Sequence, residues 1–263
     1  MKAVFLDKDG TLIEDVPYNV DPAEVRLTPG AEEGLFLLHA AGFKLFVVSN
    51  QSGVARGYFR EDALAPVEAR LRELLDRAEV PLSGFYYCPH HPEGRAPEYA
   101  VECDCRKPGP GLILEAALDH GIDLDQSWMV GDILNDIEAG RRAGCRTVLV
   151  DNGNETEWVL NPYRLPHHLA ADLPEAALII AAVGGIGPRL HYAGTGFVAD
   201  DERLRSVAVG PGASDGLLTM DDEIPRTRIP TPIAYRPASV VGSTSHIVRR
   251  PSPAIVRRRG GYP

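Results

Sequence analysis

The stretch FLDKDGT, residues 5–11, sets two carboxylates, Asp7 and Asp9, two positions apart at the end of a short apolar run. While a chain stays extended, residues i and i+2 face the same side. One carboxylate can then attack while the other handles a proton. Gly10 permits a sharp exit from the strand, and Thr11 can hydrogen-bond the turn. Aspartate is a weak nucleophile, but phosphorus accepts it and forms an acyl phosphate. Taken alone, the stretch reads equally well as an Asp-Gly turn after an edge strand. Three further segments add what attack on a phosphate ester needs besides a nucleophile and an acid/base. VVSNQSG ends a second apolar run on the hydroxyl of Ser49. CRKPGPG places the cation of Lys107 just before a helix. MVGDILND supplies Asp132 and Asp136, carboxylates suited to Mg²⁺. Singly these are a loop hydroxyl, a surface charge and a helix cap; together and in this order they form a phosphoryl-transfer set.

A second cluster lies in CPHHPEGRAPEYAVECDCRKPGPG, residues 88–111, which holds three of the four cysteines. Cys88, Cys103 and Cys105 with one imidazole give a Cys₃His set, suited to tetrahedral Zn²⁺. The spacing leaves His90 and His91 as rival fourth ligands. All four donors come from one loop and leave no position for a water, so the zinc is expected to be structural. Buried apolar cysteines would fit poorly in a segment so rich in Pro, Glu, Arg and His. Cys145, in RRAGCRTVLV, reads as a core thiol. His167 and His168 read as a surface pair rather than a second metal site.

The elements that must position these residues alternate. Apolar runs at 3–6, 44–50, 85–88, 127–132 and 146–150 read as strands. Between them, 28–42 reads as a helix with Thr28 as N-cap, Pro29 at its first position and Gly42 at its end. Leu64, Val67, Leu71, Leu74 and Leu75 share one helical face, with Pro66 tolerable only in that helix's first turn. Residues 111–121 and 136–144 read as two more helices. Apolar strands alternating with helices predict an α/β fold, a doubly wound parallel sheet. Ligands then bind beyond the C-terminal strand ends, where Asp7, Ser49, Cys88 and Asp132 fall.

At 263 residues and 44% hydrophobic content, the chain suits a globular core. Its net charge of -10 argues against nucleic acid and anionic membranes as partners. No apolar run is long enough to span a bilayer, and the N-terminal residues enter a strand without a signal-peptide pattern. A cytoplasmic monomer acting on a small molecule is the expectation. The charge is unevenly placed: residues 184–263 carry 11 Arg, no Lys and only 7 acidic residues, with 11 Gly and 9 Pro. That composition sets a boundary after Val183, between a catalytic domain at 1–183 and a C-terminal extension at 184–263 expected to be largely disordered.

DKDGT, SNQSG, RKP and the GDxxxD of Gly131–Asp136 resemble the four motifs of the haloacid dehalogenase superfamily of phosphohydrolases. The resemblance implies Asp7 as nucleophile, Asp9 as acid/base, and Ser49 and Lys107 as stabilisers of the phosphoryl group. It implies Mg²⁺ between the Asp7 carboxylate, the Asp9 backbone carbonyl and Asp132, with Asp136 nearby. YYCPHHPEG, CDCRKPGPG and NQSGVARG narrow it to the heptose-1,7-bisphosphate 7-phosphatase and histidinol-phosphatase families, over residues 1–182. That pattern favours His90 over His91 as zinc ligand. It also implies a fold without a large cap domain, its pocket shaped by loops at 15–18, 50–57 and 88–107. Asp15, Tyr18, Asn50, Gln51, Ser52 and Arg106 would then contact a phosphorylated sugar. The expected activity is removal of the 7-phosphate of D-glycero-D-manno-heptose 1,7-bisphosphate. Histidinol phosphate is the alternative substrate, and an inactive binding module the alternative of another class. One departure stands out: where such enzymes often carry Lys after the Gly-Asp, this chain has Ile133.

Overall fold

The computed structural model of the chain describes residues 1–184, 190–193 and 196–199. Six parallel strands form one sheet in the order β3-β2-β1-β4-β5-β6. They are β1 (Ala3–Leu6), β2 (Lys44–Asn50), β3 (Leu82–Cys88), β4 (Trp128–Gly131), β5 (Arg146–Val150) and β6 (His168–Ala170). The helices are α1 (Ala31–Ala40), α2 (Gly53–Arg56), α3 (Leu64–Arg77), α4 (Gly111–His120), α5 (Leu134–Ala143) and α6 (Leu173–Val183). No inserted cap domain interrupts these connections among the described residues.

Both faces of the sheet are covered because alternate strand residues are apolar on both sides. Val4, Leu6, Leu45, Val47, Trp128 and Val130 join Leu35, Leu71 and Ile180 of α1, α3 and α6 in one core layer. Ala3, Phe5, Phe46, Val48 and Met129 turn the other way, onto Ile113 and Ala116 of α4 and Ala139 of α5. Strand β1 pairs with β2 on one side and β4 on the other. The strand order reverses there, and such a reversal opens a crevice above the strand ends.

Several boundaries differ from the sequence reading. Helix α1 begins at Ala31 behind Gly30, whose φ of 74° fits glycine. Thr28 does not cap it; its hydroxyl donates to the Thr11 carbonyl at 2.9 Å, tying the segment to the β1 loop. Strand β3 starts three residues earlier than expected and α5 two. Pro66 sits in the first turn of α3, where its missing N–H costs nothing. Helix α6 was not anticipated: Asp172 caps it by accepting from the Glu175 N–H at 2.8 Å. Cys145 is buried in the α4–α5 layer, and burial pushes its thiol up to about 12. Of the extension from residue 184, strands β7 (Leu190–Ala193) and β8 (Gly196–Ala199) pair antiparallel with each other. The rest of that expectation lies outside the described residues.

Candidate active site

The crevice above β1, β2 and β4 gathers the acidic residues. Asp7 follows β1 directly, and its N–H donates to the Val130 carbonyl at 2.9 Å, so the ladder itself fixes the backbone of Asp7. Asp132 follows β4, and Ser49 is the penultimate residue of β2. Lys107 arrives from the 89–110 loop. Its ammonium hydrogen-bonds Asp7 Oδ1, donates to the Val48 carbonyl at 3.0 Å and lies 2.6 Å from Asp136 Oδ1. Asn50 holds the Lys107 backbone from both sides, accepting from its N–H at 2.9 Å and donating to its carbonyl at 3.0 Å.

Gly10 is required where it stands. Its φ is 84°, and a Cβ there would come within 2.2 Å of Asp132 Oδ2. Asp132 is held in turn by the Thr11 hydroxyl at 3.1 Å and the Asn154 amide at 2.6 Å.

The carboxylate oxygens of Asp7, Asp132 and Asp136 lie within 4.8 Å of one another. Burial raises the Asp7 carboxyl to about 7 against the opposing pull of Lys107. Burial, followed by the charge of Asp7, raises Asp132 to about 6. Asp136 is raised as well, by burial. Burial alone would lower the Lys107 ammonium, but Asp136 and Asp7 override it and hold it above its usual range. Lys107 thus serves two of these three buried carboxylates, Asp7 and Asp136, and no well-directed donor reaches Asp136 Oδ1 among the described residues. Surplus negative charge and hard oxygen donors fit a divalent cation such as Mg²⁺.

Asp9 points elsewhere. Its carboxylate accepts from Lys8 Nζ at 2.5 Å and Gln51 Nε2 at 3.2 Å, and Gln51 also reaches Ser49 Oγ at 2.7 Å. Two adjoining pockets meet at Asp9, Asp15 and Asn50. The inner one, about 270 Å³, is lined also by Asp7, Ser49, Lys107, Asp132 and Ile133. The outer one, about 250 Å³, is lined also by Tyr18, Gln51 and Ser52. Asp136 lies buried behind Lys107. Arg106 lines neither pocket; its Nη1 donates to the His90 carbonyl at 3.4 Å.

The Cys₃His set also assembles. Cys105 Sγ lies 3.2 Å from Cys88 Sγ and 3.1 Å from Cys103 Sγ, and Cys88 and Cys103 are 3.5 Å apart. His90 Nδ1 stands 3.3 Å from Cys105 and 3.6 Å from Cys88. A zinc tetrahedron with bonds of about 2.3 Å has sulfur–sulfur edges of about 3.8 Å, so these donors surround a space of that kind, drawn in by a few tenths of an ångström. Burial raises the Cys103 thiol, a cost that a bound cation removes. His91 is engaged elsewhere, with Arg56 Nη2 at 3.0 Å and the Glu93 N–H at 3.1 Å. Among the described residues the Asp and Cys/His groups are the two that could hold a metal. His167 instead accepts from the Thr147 N–H at 3.0 Å and faces Arg141.

Sequence reasoning missed Lys8, Asn152, Asn154 and Glu155. Asn152 donates to the Gly10 carbonyl at 2.8 Å, and Glu155 accepts from the Leu134 N–H at 2.7 Å. The signal was available: DNGNE follows β5, another C-terminal strand end.

The family pattern described as HAD-hyrolase-like matches residues 104–176. A D-glycero-beta-D-manno-heptose-1,7-bisphosphate 7-phosphatase of Pasteurella multocida is 46% identical over 153 residues, 58% of this chain and 83% of that protein. The protein of that name from Escherichia coli strain K12 is 40% identical over 183 residues, 66% of this chain and 92% of its own length. The solved D,D-heptose 1,7-bisphosphate phosphatase of B. bronchiseptica, complexed with magnesium and phosphate, is 28% identical with a TM-score of 0.58. That alignment covers 70% of this chain and 99% of the other.

Proposed function

The chain belongs to the D-glycero-beta-D-manno-heptose-1,7-bisphosphate 7-phosphatase family of HAD-like phosphatases, and we propose that it removes the 7-phosphate of D-glycero-D-manno-heptose 1,7-bisphosphate. The observation that carries this reading is the single pocket in which Asp7, Asp9, Ser49, Lys107 and Asp132 converge.

Asp7 attacks phosphorus and the sugar oxygen leaves, taking a proton from Asp9. The aspartyl phosphate is then attacked by a water that gives its proton back to Asp9, and phosphate departs as the Asp7 carboxylate is restored. Lys107 and Ser49 hold the non-bridging phosphoryl oxygens, and Asp136 keeps Lys107 charged and in place. Mg²⁺, held by Asp7, Asp132 and the Asp9 carbonyl with Asp136 nearby, would supply the neutralising charge that lets an anionic carboxylate meet an anionic phosphate. Asp15, Tyr18, Asn50, Gln51 and Ser52 face the sugar. The Arg106 contact rests on the family resemblance alone. Cys88, His90, Cys103 and Cys105 would hold a structural zinc, which would fix the loop that delivers Lys107. The chain is proposed to work as a cytoplasmic monomer; among the described residues, no helix is long and apolar enough to cross a membrane.

The test is a comparison of kcat/KM on both anomers of the heptose bisphosphate and on histidinol phosphate. The better bisphosphate anomer should lead by about 100-fold or more, as expected when a site is built around polar substrate groups. A higher kcat/KM on histidinol phosphate overturns the assignment.

A further inference from the structure

Two loops that frame the outer pocket each present a tyrosine ring, and the rings meet. Tyr18 lines that pocket from the β1 side, and Tyr58 comes from the turn after α2. They stand edge to face, with centroids 4.6 Å apart and planes at 80°. Yet both remain about half exposed, at 48% and 55%.

The local chain explains how each ring is placed. Gly57 ends α2 at φ 72°, and the turn closes as the Tyr58 N–H donates to the Gly53 carbonyl at 2.9 Å. Phe59 then packs so closely on Gly53 that a Cβ there would lie 2.3 Å from its ring. Phe59 is therefore the residue that anchors the turn, which leaves Tyr58 free for Tyr18. Tyr18 itself has φ 56°, a region bulky residues avoid. Strain of that kind persists where its surroundings enforce it, and it gathers at ligand-binding positions.

The pocket beneath is polar but offers little positive charge. Lys8 is committed to Asp9 at 2.5 Å, and the remaining polar side chains are amide, hydroxyl and carboxylate: Asn19, Asn50, Gln51, Ser52 and Asp15. Hydrogen-bonding groups together with the Tyr18 ring match a carbohydrate body, with its hydroxyl edges and C–H faces.

We infer that Tyr58 is a positioning residue that braces Tyr18 as the aromatic wall of the carbohydrate subsite. The inference rests on the sugar-phosphatase reading of the site. Its test uses Tyr58→Ala and Tyr58→Phe with two substrates: the heptose bisphosphate, and acetyl phosphate, which needs only the inner pocket. Tyr58→Ala should raise KM for the bisphosphate about five- to tenfold, the scale of one aromatic pair. Its kcat on the bisphosphate and its acetyl phosphate kinetics should stay at wild-type values. Tyr58→Phe should keep the wild-type KM, because the ring rather than the hydroxyl makes the contact. An unchanged KM in Tyr58→Ala overturns the brace. So does an equal loss on acetyl phosphate, which would mean a general structural role. Failure of the wild-type chain on heptose bisphosphate would be a separate result, striking the substrate assignment. The same variants would then be compared on whichever sugar phosphate the wild type hydrolyses, with the same outcomes deciding.

Discussion

Two regions meet at Lys107, and they are built by different means. Asp7, Ser49 and Asp132 sit in or directly after β1, β2 and β4, and the ladder and the packed faces behind it fix their backbone positions. Residues 89–110 contain no helix or strand and five prolines. Only Pro89 and Lys107 of that loop are buried, so it has little core of its own to hold it. What it has instead is Cys88 at the end of β3 and three more donors within 4.8 Å. A sheet positions side chains through many small contacts, whereas a loop of this composition needs one strong crosslink. The buried ammonium of Lys107 belongs to the sheet-built site, although its backbone belongs to the loop.

The largest effect should come from the sheet-built side. Asp7→Asn removes the nucleophile while keeping its shape, and turnover should fall by about 10⁴-fold or more. The fold should survive, since a carboxyl whose charge is disfavoured by burial is replaced by a neutral amide of the same shape. Rates and melting curves measured together check both halves. Turnover near the wild-type level would eliminate the covalent mechanism.

The loop should fail in a different way. Cys103→Ser should lower zinc from about one ion per chain, read by elemental analysis. Cleavage by trypsin at Arg95 or Arg106 should become faster, and kcat should fall about 10- to 100-fold as Lys107 loses its aim. The main melting transition should move little, because β1–β6 do not depend on the loop. Full zinc occupancy in this variant would show that Cys103 is not a ligand.

The same contrast explains what could be read from the sequence. Strand-end chemistry was legible because a parallel sheet puts its functional groups at one edge, and Asp7, Ser49 and Asp132 are where that rule places them. Three of the four donors in the Cys₃His set were legible from residue type. His90 against His91 was not legible from residue type, since adjacent histidines differ only in which way they turn; the family resemblance favoured His90, and Arg56 engages His91. Helix α6 was hidden because LPEAALIIAAV is apolar on nearly every face. Its buried set, Leu173, Ala176, Ala177, Ile180 and Ala181, has helical spacing, but the apolar residues between them mask the period. Asn154 and Glu155 were overlooked because amide and acid residues in a Gly-containing loop look like ordinary turn chemistry.

A smaller effect separates the two regions by pH. Without divalent metal, the folded chain holds Asp7 near 7 and Asp132 near 6, against 3.8 for each in their unperturbed state. The folded state therefore keeps protons that the unfolded chain releases above about pH 4. Stability from these groups is full below that pH and is lost as pH rises through 6 to 7. Mg²⁺ should reverse the loss, because it binds the charged carboxylates. The melting temperature with Mg²⁺ minus that with a magnesium chelator should therefore widen between pH 5 and pH 8, by about 5 °C or more. A gap that narrows with rising pH would mean that the buried carboxylates are not the magnesium site.

The smallest effect should come from removing residues 184–263. Strands β1–β6 and helices α1–α6 end by Val183, and every residue proposed for catalysis, sugar contact or metal binding precedes it. The curated relatives named above also align to 58–66% of this chain, a share that fits a catalytic unit ending near that point. The removed segment is rich in Pro, Gly and Arg, a composition that buries little apolar surface against the entropy of ordering it. A chain ending at Val183 should therefore fold, retain zinc and hydrolyse the bisphosphate within about twofold of the full-length kcat/KM, the range expected when a removed terminus makes few buried contacts. In the full-length protein, limited trypsin digestion should cut first beyond Gly184, where the arginines concentrate. If the shortened chain is insoluble or loses most of its kcat/KM, the extension takes part in the fold or the site. The contrast would then involve three regions, and the boundary at Val183 would be wrong.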